Sequence, residues 1–402
     1  MIRKDDHSGT AEVAPEWLRT LIERGELSAE WGRILGNLPR RLFLPDLIWP
    51  LDPETRAYRA VDRREDPQAW ESCAAADVAI VTQWDDGAHT GREPGEVPTS
   101  SASTPSIVGV MLQDLDVQPG HRVLDAGAGT GWTTALLSRR AGAGTVTGIE
   151  IDSEVAEAAS RRLEAIGTDA AVVVGDAGKG WPEDGPYDRV HGTFAVHQVP
   201  TAWLQQARPG GLIVVPWGTR YGNLNAVARL RVDADGTAGG RFTRLVEFML
   251  DRRQRAPWPA HETYLPDGEW PAGVRESETT LSFDELSMAE FVVGLCVPDI
   301  TYTLSRDDQG TTGVWLYGLK DRSWALVSFC QDGCREFDVL QDGPRSLWDE
   351  VEAACRWWEG EQRPDVTRFG LTVGPDSHRI WLDSPDRVVS PTGVPTEPRP
   401  DA

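Results

Sequence analysis

Val123-Leu-Asp-Ala-Gly-Ala-Gly-Thr-Gly131 joins an apolar run to a helix-like run. Arg122-Val-Leu reads as a buried parallel strand, and Gly127, Gly129 and Gly131 follow as a tight turn. Trp132 to Arg140 then has the apolar spacing of a helix. A second short strand, Thr145 to Ile149, ends at Glu150, and Val172-Val-Val-Gly-Asp176 supplies a third strand that also ends in an acid. Strand, glycine turn, helix, strand and acid form the physical recipe for a site that holds a ribose-bearing cofactor. The glycines let the backbone approach the ligand, and the acid at the second strand tip takes two ribose hydroxyls.

The spacing bears on which cofactor. The glycines run Asp-x-Gly-x-Gly-x-Gly, so in the dinucleotide register that starts at Gly127 the third glycine falls on Thr130. A pyrophosphate is matched by bare amides at a helix N-terminus. A carboxylate at the strand tip, Asp125, suits a ligand with an ammonium group and no phosphate. S-adenosylmethionine is such a ligand. The candidate cofactor-binding set is Asp125, Gly127, Ala128, Gly129, Thr130, Gly131, Glu150, Ile151, Asp176 and Ala177. The bland alternative is a structural βαβ turn of another α/β protein.

The chain has 402 residues, enough for two cores, and 63 acids against 40 Lys and Arg give a formal charge of −23. That balance repels a phosphate backbone, so nucleic acid is disfavoured as a partner. No run of eighteen apolar residues offers a membrane span. The N-terminus lacks a signal-peptide core, and the expected location is the cytoplasm. Five scattered cysteines give no disulfide framework. Cys330 and Cys334 lack the second pair or histidine of a zinc site, so no metal is expected and the thiols read as reduced.

Residues 1–13 read as disordered. Pro15 to Arg24 has helical spacing, and Ser28 caps a second helix that runs through Leu38. Residues 84–106, rich in Gly, Pro, Ser and Thr, read as a long loop that enters a helix from Ser106 to Leu115. From 121 to 232 strand and helix patterns alternate, with buried strands at Val172–Val174, Arg189–His191 and Leu212–Val215. A helix from Ala202 to Ala207 is closed by Pro209-Gly-Gly211, and a further strand runs from Asn225 to Val232. The expected fold class is α/β, a doubly wound Rossmann-like domain over residues 14–245. Proline-rich linkers near 256–271 precede an α+β domain over 246–384. That domain has a helix from Phe283 to Leu295, several short strands, a helix from Ser346 to Trp358 and a hairpin around Gly374-Pro-Asp. The tail 385–402 reads as unordered.

Residues 15 to 235 resemble the protein-L-isoaspartate O-methyltransferases. The resemblance rests on Arg-Leu-Phe-Leu-Pro45, Ser101-Ala-Ser-Thr-Pro-Ser-Ile-Val108, Tyr187-Asp-Arg-Val-His-Gly192 and Arg208-Pro-Gly-Gly-Leu-Ile-Val-Val-Pro216. It implies a class I S-adenosylmethionine-dependent methyltransferase domain. Ser103 would contact the acceptor carboxylate, with Ala102, Thr104, Phe194, Ala195, Val196 and His197 near the substrate. Two departures stand out. Ala102 replaces the family's Thr, and Gly192-Thr-Phe-Ala-Val-His-Gln-Val-Pro200 replaces its small-residue strip.

With the extra C-terminal domain, these departures are similar to a variant group encoded with ribosomal peptide natural products. Those enzymes methylate a normal Asp of a cyclised precursor, a lanthipeptide or a graspetide, and the ester then closes to an aspartimide that hydrolyses to isoaspartate and Asp. The resemblance therefore implies a modified ribosomal precursor as peptide partner. A general isoaspartate repair enzyme is the first rival, and a non-catalytic peptide-binding scaffold is the second. Oligomeric state is left open. Ser103 has a bland alternative as cap of the helix near Pro105, and His197 as a solvated or core histidine.

Overall fold

The computed structural model describes residues 14–268, 270–308, 310–330, 334–375 and 377–389. The disorder expected at 1–13 lies outside them. The chain forms two compact units, Met1–Arg189 and Val190–Ala402.

The first unit opens with α1 (Glu16–Glu23) and α2 (Ala29–Asn37). Ser28 caps α2, its hydroxyl accepting from Trp31 N at 3.3 Å, and Leu18, Leu21, Trp31 and Leu35 are buried. Next come β1 (Leu47–Pro50), β2 (Val61–Asp62), α3 (Pro67–Ala75), β3 (Ile80–Trp84) and β4 (Pro98–Ala102). The four strands form a sheet in the order β2-β1-β3-β4. The long loop expected over 84–106 is therefore shorter. Ser and Thr have weak strand signals, but Ser101 pairs with Val81 and Ala102 with Ile80, and Ser100 and Ala102 turn inward. Tertiary pairing overrides local composition here.

The parallel part follows as α4 (Pro105–Leu115), β5 (Val123–Ala126), α5 (Trp132–Ala141), β6 (Val146–Glu150), α6 (Ser153–Ala165) and β7 (Ala171–Val174). Val123 pairs with Val146, and Thr147 with Ala171, both in parallel register. β8 (Tyr187–Gly192) begins on the other side of β5, where Asp188 N donates to Arg122 O at 2.8 Å. Strands joined by helical crossovers are the α/β pattern that the sequence alternation implied. β5 and β6 are buried at every position, as hydrophobic runs between helices require. β7 is not the buried strand its valines suggested. It is the sheet edge, and Val174 is 57% exposed.

The second unit holds α7 (Thr201–Gln206), β9 (Ala207–Gly218), β10 (Leu224–Val232) and β11 (Ala238–Glu247). Pro209-Gly-Gly211 does not stop the helix. α7 has already ended at Gln206, and these residues open β9. The chain continues through β12 (Arg275–Thr279), α8 (Phe283–Met288), α9 (Glu290–Cys296), β13 (Ile300–Arg306), β14 (Thr312–Gly318), β15 (Trp324–Phe329) and β16 (Phe337–Asp342). It ends with α10 (Leu347–Gly360), β17 (Phe369–Gly374) and β18 (Ser377–Leu382). The helix read over Phe283–Leu295 is two helices that break at Ala289.

Five of these strands form an antiparallel sheet ordered β12-β16-β15-β14-β13. The β17–β18 hairpin leaves that sheet and pairs with β11, Gly240 opposite Leu371. A Cβ on Gly370 would fall 2.1 Å from the Trp381 ring, so glycine is what lets that indole lie flat on β17. Trp324 and Trp381 are buried in packing, and Trp315, Trp357 and Trp358 are half-buried. Residues 385–389 depart from the expected unordered tail. Val389 N donates to Ile380 O at 2.9 Å, giving two valines a strand edge to cover, while 390–402 lie outside the described residues. Cys330 and Cys334 form a disulfide, which corrects the reading of reduced thiols: four residues apart, they meet just beyond the end of β15.

Candidate functional site

The glycine turn sits at the C-terminal end of β5. Gly127, Gly129 and Gly131 have φ of 92°, 53° and 92°, in the left-handed region that favours glycine. Gly127 N and Ala128 N both donate to Ile149 O, at 2.9 and 2.8 Å, and so tie the turn to the end of β6. Gly127 and Gly129 keep partial exposure, whereas Ala128, Thr130 and Gly131 are buried. Asp125 is fully enclosed, and its Oδ2 accepts from Thr133 Oγ1 at 2.9 Å and Thr134 Oγ1 at 2.6 Å. It fastens the first turn of α5 to β5.

Glu150 ends β6 with its carboxylate held on both sides. Oε2 accepts from Gly129 N and Oε1 from Asp152 N, each at 3.0 Å. Ile151 follows as an apolar side chain 36% exposed. At the end of β7, Asp176 accepts from Gly178 N at 3.0 Å and Ala177 is buried. The predicted cofactor residues are thus brought together at the C-terminal edge of three parallel strands, where α/β sheets bind ligands.

The candidate acceptor arm joins them within this unit. A Cβ on Gly129 would lie 3.8 Å from Ser101 O, so β4 runs against the turn. Ala102 is buried, and Ser103 and Thr104 are half-buried. The capping alternative for Ser103 does not hold. Thr104 occupies the cap position of α4 without a side-chain bond, and the exposed amide of Ser106 is taken by Asp77 Oδ1 at 2.8 Å. Among the described residues the Ser103 hydroxyl has no hydrogen-bond partner.

Arg40 was missed by sequence reasoning. It is 3% exposed, and its guanidinium donates to the carbonyls of Cys73, Ala74, Ala76, Val78, Ala102 and Ser103. Burial lowers its pKa to about 10, and the neighbouring Asp77 pulls the other way. Arg40 stands one residue before the Arg-Leu-Phe-Leu-Pro45 stretch, which begins at Arg41, so the motif as read left it out.

Phe194, Ala195, Val196 and His197 lie in the second unit. Ala195 and Val196 are buried, with backbone bonds to Met249, Asp251, Pro216 and Gly218, so their side chains face packing. Phe194 is half-buried against Trp203, with ring centroids 6.1 Å apart. His197 Nδ1 lies 3.1 Å from Gly218 O, and burial holds its pKa below the usual value. Among the described residues no cluster of metal-ligating side chains occurs and no helix is long and apolar enough to cross a membrane.

Residues 57–249 match the family described as Protein-L-isoaspartate(D-aspartate) O-methyltransferase. That match covers just under half of the chain. A protein-L-isoaspartate O-methyltransferase of Aeropyrum pernix is 44% identical over 120 residues, 29% of this chain and 46% of the relative. One from Pyrococcus horikoshii is 36% identical over 131 residues, 32% and 59% of the two chains. One from Rhodospirillum rubrum is 38% identical over 135 residues, 33% and 60%. The chain spans about half the length of these curated relatives.

A solved protein-L-isoaspartate O-methyltransferase aligns at a TM-score of 0.50 and 22% identity, covering 92% of this chain and 99% of its own. The fold is that of the class I S-adenosylmethionine methyltransferases, with an additional sheet-rich C-terminal region. That alignment reaches well beyond residue 249.

Proposed function

We propose that this chain is an S-adenosylmethionine-dependent carboxyl O-methyltransferase that esterifies an aspartyl-type side chain of a peptide or protein. One observation carries the reading: the arm bearing Ser103 runs against the glycine turn, Ser101 O standing 3.8 Å from the Cβ position of Gly129. A hydroxyl with no partner among the described residues is thereby held beside the glycine turn.

The donor set fits the cofactor. A vicinal diol offers two O–H donors, and the oriented Glu150 carboxylate offers two acceptor oxygens. Ile151 and Ala177 supply apolar surface for the adenine, and Gly127 and Gly129, without Cβ atoms, let the backbone approach the amino-acid end. Asp125 acts by fixing the turn. Bound S-adenosylmethionine supplies an electrophilic methyl group on a sulfonium. The acceptor carboxylate is ionised at neutral pH, with an ordinary pKa near ~3.9, and needs no general base. The work left to the protein is alignment. Ser103 would donate one hydrogen bond to a carboxylate oxygen, fixing its direction without cancelling its charge. The ester carbonyl is open to attack by the next backbone nitrogen, which expels methanol and gives an aspartimide, and water then opens that ring to isoaspartate and Asp.

Two acceptors remain in play. The names of the relatives favour an isoaspartyl side chain. The departures at Ala102 and 192–200 are what support a normal Asp of a modified ribosomal precursor. Methyl-acceptor assays with an isoAsp peptide, its Asp counterpart and a cyclised precursor separate the two. Failure to bind S-adenosylhomocysteine in calorimetry would return the chain to a peptide-binding scaffold.

A further inference from the structure

The second unit contains a cavity of about 440 Å³ whose lining includes Arg220, Arg253 and Arg255, with His197 and Trp217 in its wall. In a chain of net charge −23, three arginines gather on one cavity, and the nearby Asp251 carboxylate is engaged by Gln254 Nε2 at 3.3 Å. The acid in the wall, Asp299, is already paired, with Lys320 Nζ 2.8 Å from its Oδ2. The basic segment is also fixed in place. Gln254 Oε1 accepts from His197 N and Gln198 N at 2.8 Å each, and its Nε2 donates to Gln198 O at 2.9 Å. His197 stays uncharged at neutral pH, because burial and the neighbouring Arg220 lower its pKa. The Trp217 Nε1–H is buried with no acceptor among the described residues. Planar forks of N–H donors match carboxylates in pairs of parallel bonds, and the volume falls within the roughly 300–1,000 Å³ of built ligand sites.

We propose that this cavity is a carboxylate-binding subsite that takes an acidic segment of the peptide acceptor, separate from the side chain that is methylated. The assignment rests on the peptide-methyltransferase reading for its ligand, and on the arginines and cavity alone for its chemistry.

The test uses the full chain and a fluorescent peptide carrying an Asp-Asp segment, with an Asn-Asn counterpart, read by polarisation. The Asp peptide is expected to bind about 10- to 100-fold tighter. That preference should collapse in the Arg220→Gln/Arg255→Gln double variant and shrink as salt is raised. Equal binding of the two peptides, or a preference that survives the double variant, overturns the proposal. If the double variant fails to fold by circular dichroism, the single Arg255→Gln variant and the salt series decide. N-acetylaspartate competing at the peptide's own concentration would show a small-molecule pocket and overturn the peptide assignment. Binding of S-adenosylhomocysteine is measured in parallel. Its absence, with the Asp preference intact, sinks the methyltransferase reading and leaves the anion site standing.

Discussion

Arg40 Nη1 donates to the carbonyl oxygen of Ser103 at 3.1 Å. The same buried guanidinium binds the carbonyls that close α3 and the one at Ala102. One side chain thus ties the acceptor arm to the body of the first unit. Arg40→Met strands six carbonyls in a dry site and should cost about 3 kcal/mol in urea unfolding. Arg40→Lys keeps the charge but lacks the planar fork. Its turnover should fall while S-adenosylhomocysteine affinity, measured by calorimetry, holds.

Ser103→Ala removes a hydroxyl with no partner among the described residues, so it should leave the melting temperature unchanged. If the hydroxyl aligns the acceptor, kcat drops about 10- to 100-fold. An unaltered rate removes Ser103 from the mechanism.

Glu150→Gln replaces an acceptor oxygen with an amide donor that faces either Gly129 N–H or Asp152 N–H. The tie to the turn and the proposed ribose contact are lost together. Calorimetry should report an S-adenosylhomocysteine affinity about 10- to 100-fold weaker.

His197 and His378 both have pKa values lowered by burial. Unfolded histidine titrates near ~6.5, so between that value and the lowered folded one the unfolded chain binds more protons. Stability should therefore be complete above about pH 6.5 and fall as the pH drops through the folded values. Thermal melts from pH 5 to 8 check this. His197→Gln should flatten part of the slope, and an identical slope would remove His197 from the effect.

Elements with strong local signals were legible. The glycine turn and its strand–helix–strand frame needed only apolar runs, three glycines and Glu150, and the structure has α5 at Trp132–Ala141 and β6 ending at Glu150. What stayed hidden depended on partners distant in sequence. Pro98–Ala102 becomes a strand only because β3 is there to pair with it. Val174 is apolar, yet no strand follows β7 to cover it. Pro209-Gly-Gly211 carries a stop signal for a helix that ends three residues earlier. The candidate site divided the same way. Backbone-shaped features were readable from residue type, whereas the role of Arg40 emerges only when six carbonyls from two distant chain segments meet around it. The cationic cavity joins residues near 220, 254 and 299, a spacing that no linear motif encodes.

The return of the β17–β18 hairpin to β11 bears on how the protein can be cut down. A stop codon placed after residue 245 would not release a self-sufficient catalytic half. It would strip β11 of β17, one of its two neighbours, and leave a bare row of amides and carbonyls on that side, an invitation to aggregate. A smaller version has to be made by excising the intervening sheet and splicing the ends, with the final hairpin retained.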